Sequence, residues 1–382
     1  MPPDGRQPLA LALSGGGFRA TLAALGAIRC LADLGLLRDV RTVSSVSGGS
    51  ITNGQLALAW PTLRTEGFTA AAVHAHVIAP IVRRVSTEAM KGRIIRNGWR
   101  LALGKSRSDL LAHVLDRWWF DGAQLEDLDP ECRWIFNAAN LTTGVRFGFE
   151  RDVLGDYVTG HVRTAATGMR LSRAVAASAA VPGALSKVRL RGLDFPCGDR
   201  GDPELLDGAA YDNTGLEALD GPAHRDTFLV GVNAGGAFVT GRAGGLPIVG
   251  DLVRSNSMLY RQSTSLRTRW MVDRFQAFEA ARDHPPRQGR AGVLFGLAST
   301  IGAGTPSPTN RVAEWTARFP EHRDFRGEDL AFIPTVFDRL ELELCRRLIY
   351  RGWWLTGATI ARYHATKIEV ALDAIEAPSI EA

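Results

Sequence analysis

The chain has 382 residues, 45% hydrophobic and 22% charged, with 45 Lys+Arg against 40 Asp+Glu and a net charge of +5. These are the proportions of a folded globular protein, which excludes a disordered or fibrous chain, and so mild a basic excess does not imply nucleic acid. Cys30, Cys132, Cys197 and Cys345 lie far apart without a CxxC pair. This excludes a zinc knuckle or a disulfide framework and reads as reduced core thiols. Met1 to Arg6 lack a basic segment followed by an apolar one, and no run of about eighteen uncharged apolar residues occurs, so a cytoplasmic protein touching membranes only peripherally is expected.

In chain order, Pro8 to Leu13 reads as a short apolar strand that breaks at Ser14-Gly15-Gly16-Gly17-Phe18-Arg19. Leu22, Leu25, Ile28, Leu31, Leu34 and Leu37 recur at a spacing of three and predict a helix over residues 20–37, ended by Gly35. Val40 to Val46 is the next strand, and Ser50 to Trp60 a helix up to Pro61. Strand, helix, strand and helix in so short a stretch predict a parallel sheet with right-handed crossovers.

From Ala70 to about Leu128 no strand pattern appears. There Arg83, Arg84, Lys91, Arg93, Arg96, Arg100, Lys105 and Arg107 face Glu88 alone, which predicts a basic helical insertion. Val85, Ile94, Ile95, Trp99, Leu101 and Leu103 interleave with those cations, as suits an amphipathic element lying on anionic lipid, or equally a solvated helix face or a partner contact. Strand patterns return at Arg133 to Ala139 and Val145 to Phe149, an Ala-rich helix is predicted over Leu171 to Ala180, and Asp226 to Asn233 reads as a buried strand. Residues 246–308 are rich in Gly, Pro and Arg and helical in places, and Leu340 to Thr356 forms a long helix. The tryptophan pairs Trp118-Trp119 and Trp353-Trp354 read as core at helical spacing. The expected organisation is a catalytic domain over 1–240, with a helical insertion at about 62–130, and a helical extension over 241–382 packed on the same domain.

Two segments carry chemistry. A glycine loop between a strand and a helix leaves backbone N–H groups unobstructed for an oxyanion. Ser45-Val46-Ser47-Gly48-Gly49 reads as strand, sharp turn and helix with a serine at the tip, a placement that exposes a nucleophile above the sheet. Gly49 meets the need for a small residue after the turn, whereas Ser45 stands where a glycine is usual. Ser44, Ser45 and Ser50 compete with Ser47 for the role. The glycines also suit a nucleotide phosphate cradle, but the GxGxxG spacing, a following GK[ST] and an acid after the second strand are absent. Asp207, preceding Gly208-Ala209, reads as a turn aspartate or a base, with Asp202 and Asp212 nearby.

Ser14 to Arg19, the Ser47 turn, Asp207-Gly208-Ala209 followed by Asn213, Ala177-Ser178-Ala179-Ala180-Val181-Pro182 and Asn140-Leu141-Thr142-Thr143-Gly144 together resemble the patatin-like phospholipase family over residues 9–236. That resemblance implies an α/β three-layer sandwich with a central, mostly parallel sheet flanked by helices. It also implies a serine lipid acyl hydrolase acting on phospholipid or lysophospholipid, with Ser47 as nucleophile, Asp207 as its base, Gly15, Gly16 and Gly17 as oxyanion hole, and no metal or cofactor. Arg19 would lie near an anionic headgroup or tie down the loop. Peripheral contact with anionic membrane at the inner surface is expected, and no nucleic acid. Three alternatives are a Ser-Asp-His esterase using His224 or His364, a signal-activated membrane-degrading effector, and a nonenzymatic lipid-binding module.

Overall fold

In the computed structural model, residues 6–197, 201–236, 247–280, 289–302 and 311–380 are described. The start of the chain and parts of 246–308 therefore lie outside the described residues. The strands are β1 (Leu9–Leu13), β2 (Val40–Val46), β3 (Arg133–Asn140), β4 (Val145–Phe149), β5 (Val153–Asp156), β6 (Gly160–Arg163), β7 (Val188–Arg189), β8 (Glu204–Asp207), β9 (Phe228–Asn233) and β10 (Gly292–Gly296). They form one sheet in the order β10-β9-β1-β2-β3-β4-β5-β6, with β8 against β3 and β7 against β8. β10, β9, β1, β2 and β3 run parallel, and the pairings beyond β3 are antiparallel.

The helices are α1 (Gly17–Asp33), α2 (Gly48–Thr65), α3 (Ala70–Val73), α4 (Ala79–Thr87), α5 (Met90–Arg96), α6 (Arg107–Leu115), α7 (Leu171–Ser178), α8 (Ala209–Asp212), α9 (Pro247–Ala280), α10 (Val312–Arg318) and α11 (Leu342–Tyr363). Side chains of a strand alternate between its two faces, and β1 shows what covers each. Leu9, Leu11 and Leu13 join a core with Leu22, Leu25 and Ile28 of α1 and Leu348, Trp353 and Trp354 of α11. Ala10 and Ala12 join a second core with Met271 and Phe275 of α9. The sheet is thus the middle of three layers, as the resemblance implied.

Several features depart from the expectations. Pro61 falls inside α2 rather than ending it; a proline removes one helical N–H, and here the helix runs on to Thr65. β5, β6, β7 and β8 were not anticipated, because two- to four-residue strands are too short to show an alternating pattern. β10 lies in the stretch read as a helical extension and pairs with β9 along Gly292–Gly296, so that stretch supplies a strand to the main sheet. Cys30, Cys132 and Cys345 are buried and Cys197 exposed, all as free thiols. Of the apolar residues interleaved with the cations of the insertion, Val85 is buried in the core.

The α1–α11 contact is held close by two glycines. A methyl group on Gly26 would lie 2.6 Å from the Trp353 N atom, and one on Gly352 would lie 2.8 Å from the Ala23 carbonyl carbon. Overpacking of this kind generally costs about 1–3 kcal/mol or more. Gly352→Val is expected to lower the thermal unfolding midpoint markedly, whereas substituting Gly221, which has φ −70° and no atom in the path of a methyl group, should leave it less affected; circular dichroism melts check the difference.

Candidate active site

β2 pairs with one edge of β3 as far as Val46 opposite Asn137. The antiparallel β8 takes over the same edge from the next residue, with Asp207 opposite Ala138. The two strands therefore meet end to end, and the residues that close them, Ser47 and Asp207, face each other although 160 positions separate them. Ser47 lies close enough to the Asp207 carboxyl group to bear on its pKa.

Ser47 has φ 51° and ψ −118°, a left-handed backbone that a residue with a Cβ holds only when its surroundings force it. The forcing contacts are visible. Ser47 N–H donates to Ser178 Oγ at 2.9 Å, and that hydroxyl donates to the Asn137 carbonyl at 2.6 Å. A methyl group on Gly49 would lie 2.6 and 2.7 Å from the carbonyl oxygens of Leu13 and Ser14, so the first turn of α2 lies directly on the end of β1. The competing hydroxyls are engaged in this scaffold: Ser45 Oγ bonds Ser50 Oγ at 3.0 Å, Ser50 Oγ bonds Ser178 Oγ at 2.9 Å, and Ser44 Oγ donates to the Gly215 carbonyl at 2.7 Å.

Asp207 is buried, and its Oδ1 accepts the Ala209 N–H at 2.8 Å. Burial raises its pKa to about 6, against the lowering influence of the Ala209 hydrogen bond and of the nearby Ser47. Near neutral pH it is an ionised acceptor close to the midpoint of its titration, the range in which a proton is readily taken and returned.

The three glycines divide their labour. Gly15 N–H donates to the Asn213 carbonyl at 2.9 Å, so it anchors the loop and is not free for a substrate. Among the described residues the N–H groups of Gly16 and Gly17 have no acceptor. Their φ values of +142° and +59° are ones that glycine adopts without strain. Arg19 is 2% exposed: Nε donates to the Ala234 carbonyl at 3.0 Å, Nη2 to Thr335 Oγ1 at 3.1 Å, and Nη1 to the Ile333 carbonyl. Its guanidinium ties the glycine loop to two distant loops, in keeping with the expectation that it ties down the loop. Burial lowers its pKa to about 10.

The two histidines of the alternative triad lie at the other end of the sheet. His364 Nε2 contacts the Gly292 carbonyl at 3.1 Å and its ring meets Phe228 edge-on at 4.8 Å; these residues open β10 and β9. His224 precedes β9, and burial, with Arg133 and Arg290 nearby, lowers its pKa to about 4. Ser47 follows the carboxyl end of β2, so both rings are a strand length away, about 15 Å.

Two residues join the site without having been singled out for it. Asn213 is buried, its Nδ2 has no partner among the described residues, and a methyl group on Gly235 would lie 2.6 Å from that nitrogen and 2.7 Å from Tyr260 Oη. Burial raises the Tyr260 pKa and the nearby Asp207 raises it further, while Arg19 opposes. Asn213 followed the aspartate motif in sequence; Tyr260 comes from the weakly patterned stretch that forms α9, and no local signal marks it.

Among curated proteins, none matches the sequence. The fold is similar to that of human GIVD cytosolic phospholipase A2, with a TM-score of 0.55 at 13% identity over 97% of this chain and 61% of that one. A structure of that human protein in complex with methyl gamma-linolenyl fluorophosphonate gives 0.51 at 14% identity, over 96% and 60% of the two chains. The chain thus spans about three fifths of the length of that protein. A patatin-like phospholipase model matches residues 11–220, more than half of the chain and the whole stretch from the glycine loop to Asn213, and the chain belongs to the patatin-like phospholipase family.

Proposed function

We propose that this protein is a serine lipid acyl hydrolase that cleaves carboxylic ester bonds of phospholipids or lysophospholipids through a Ser47–Asp207 dyad. The observation that carries the reading is the Ser47 turn, with φ 51°, meeting the buried Asp207 carboxylate where β2 and β8 end on one edge of β3, beside the open Gly16 and Gly17 amides. Ser47 Oγ adds to the ester carbonyl as its proton passes to Asp207, and the carbonyl oxygen, now negative, takes the two amide hydrogen bonds. Collapse of this intermediate breaks the ester bond, and Asp207 returns the proton to the departing alcohol. Water then repeats the sequence on the acyl-enzyme, with Asp207 again accepting the proton. Gly15 and Arg19 serve by holding the loop in place.

Ser47→Ala is expected to abolish hydrolysis of a short-chain p-nitrophenyl ester and labelling by a fluorophosphonate while leaving the fold intact. Labelling retained in Ser47→Ala and lost in Ser45→Ala would move the nucleophile.

Asp207 must be ionised to act as base, so kcat/KM on the soluble ester should rise with pH and be half-maximal near 6. Asp207→Asn removes the base and should be as severe as Ser47→Ala. Its stability runs the other way. A carboxyl group whose folded pKa is raised stabilises the fold below its unfolded value of 3.8 and loses that contribution as pH climbs through about 6. The ionised form therefore costs the fold of order 2–3 kcal/mol at neutral pH. Thermal melts of Asp207→Asn should match or exceed the parent at pH 7, with the difference shrinking below pH 4.

Contact with the surface of a membrane is supported by the insertion. Ile95, Trp99, Leu101 and Leu103 are 68%, 61%, 45% and 67% exposed, a cluster of outward apolar side chains on a basic element. Arg93 and Arg96 both pair with Glu88, so the anchoring is assigned to the apolar side chains more than to those two charges. A Trp99→Ser/Leu103→Ser variant should bind vesicles and hydrolyse vesicle lipid more weakly, with turnover of a soluble ester nearly unchanged; equal loss on both substrates would remove the membrane role.

A further inference from the structure

Behind the dyad, at the opposite end of α7, lies a cavity of about 810 Å³ lined by residues of α6, α7 and β7, and a second of about 460 Å³ shares His113, Asp116 and Arg170 with it. α7 has Arg170, Ser172 and Arg173 on the cavity at one end and at the other carries Ser178, whose hydroxyl holds the Ser47 N–H. Eight helical residues span about 12 Å, so a molecule in this cavity is not a substrate lying at Ser47.

The lining is cationic. Arg170 pairs with Asp116 at 2.5 Å and Arg173 with Asp109 at 3.1 Å, and Lys187 and Arg189 share Glu204. Arg100, Arg117 and Arg191 also line the two cavities, and among the described residues they have no ion-pair partner. Burial, and then the charges of Arg100 and Arg117, hold the His113 imidazole below its ordinary pKa, in keeping with a positive potential there. Arg100 lies over the Trp99 ring at 5.1 Å. Gly104, on the cavity wall, follows the exposed Leu103, so the positive cavity opens beside the outward apolar cluster of the insertion.

We infer that this cavity is a second, non-substrate site for a phosphate group, and that the phosphate is that of an anionic lipid headgroup held while Trp99, Leu101 and Leu103 enter the bilayer. Guanidinium groups match phosphate oxygens in pairs and lose less on desolvation than ammonium groups do. Arg191 on the larger cavity, and Arg100 and Arg117 on the smaller, where Asp121 offsets part of their charge, supply positive charge for a phosphate. A free phosphate compound presents the same chemistry, and the experiment separates the two sources.

Binding is measured on full-length Ser47→Ala, so it does not depend on the catalytic reading. Inorganic pyrophosphate is titrated by calorimetry, and cosedimentation is followed with phosphatidylcholine vesicles with and without phosphatidic acid. Pyrophosphate should bind with an affinity that falls as salt is raised. Arg117→Glu/Arg191→Glu, which changes two exposed and unpaired side chains, should weaken it about tenfold or more, with an unchanged melting midpoint and unchanged soluble-ester turnover when built on the active parent. Displacement of the protein from phosphatidic acid vesicles by pyrophosphate assigns the headgroup as the source. Pyrophosphate binding without displacement keeps the phosphate site and assigns it to a free phosphate compound. Absence of pyrophosphate binding, or equal binding by the double variant or by Arg191→Gln alone, overturns the site.

Discussion

The site depends on one close approach of backbone to backbone. The first turn of α2 rests on the end of β1 and on the glycine loop at distances that leave no room for a Cβ at Gly48 or Gly49. This contact forces Ser47 into a left-handed conformation, and Ser178, from a third element, receives the strained N–H. The strain is sustained because buried hydrogen bonds surround the turn. The same contact sets the open amides of Gly16 and Gly17 beside the Ser47 turn, so a single packing arrangement places both.

The second constraint is electrostatic. A carboxylate is costly to bury, and Asp207 is kept inside by the Ala209 N–H donor, with Ser47 close by and no cation that its shifted pKa registers. A cation paired with it would have stabilised the ionised form and drained its basicity. Arg19, the nearest strongly basic residue in the motif, spends its donors on the Ala234 and Ile333 carbonyls and on Thr335 Oγ1. The arginine thereby locks three loops together while leaving the base free to titrate near neutrality.

These arrangements extend outward through helices. α7 runs between Ser47 and the cationic cavity, α9 brings Tyr260 near Asp207 and Arg19 while covering the second face of the sheet, and α11 closes on α1 through Gly26 and Gly352. The long insertion between α2 and β3 carries apolar side chains outward that have no place in the core.

Much of this was legible in the chain itself. β2 and β4 fall on the predicted residues and β1, β3, β9 and α1 within a few of them, because buried parallel strands are continuous apolar runs and a helix repeats its apolar face. The glycine loop, the Ser47 turn and Asp207 were each visible as local motifs, since close backbone approach admits few residue types. What local sequence does not hold is juxtaposition. That β2 and β8 share one edge of β3, so that Ser47 meets Asp207, is a matter of strand pairing. That His224 and His364 lie at the far end of the sheet is a matter of strand direction. Whether Arg19 faced a headgroup or a carbonyl, and whether the Gly15 N–H was free, turned on residues more than 190 positions away. Sequence determined which residues are candidates for the chemistry; only the tertiary structure decided which of their atoms are already engaged, because hydrogen-bond partners are set by the fold and not by neighbours along the chain.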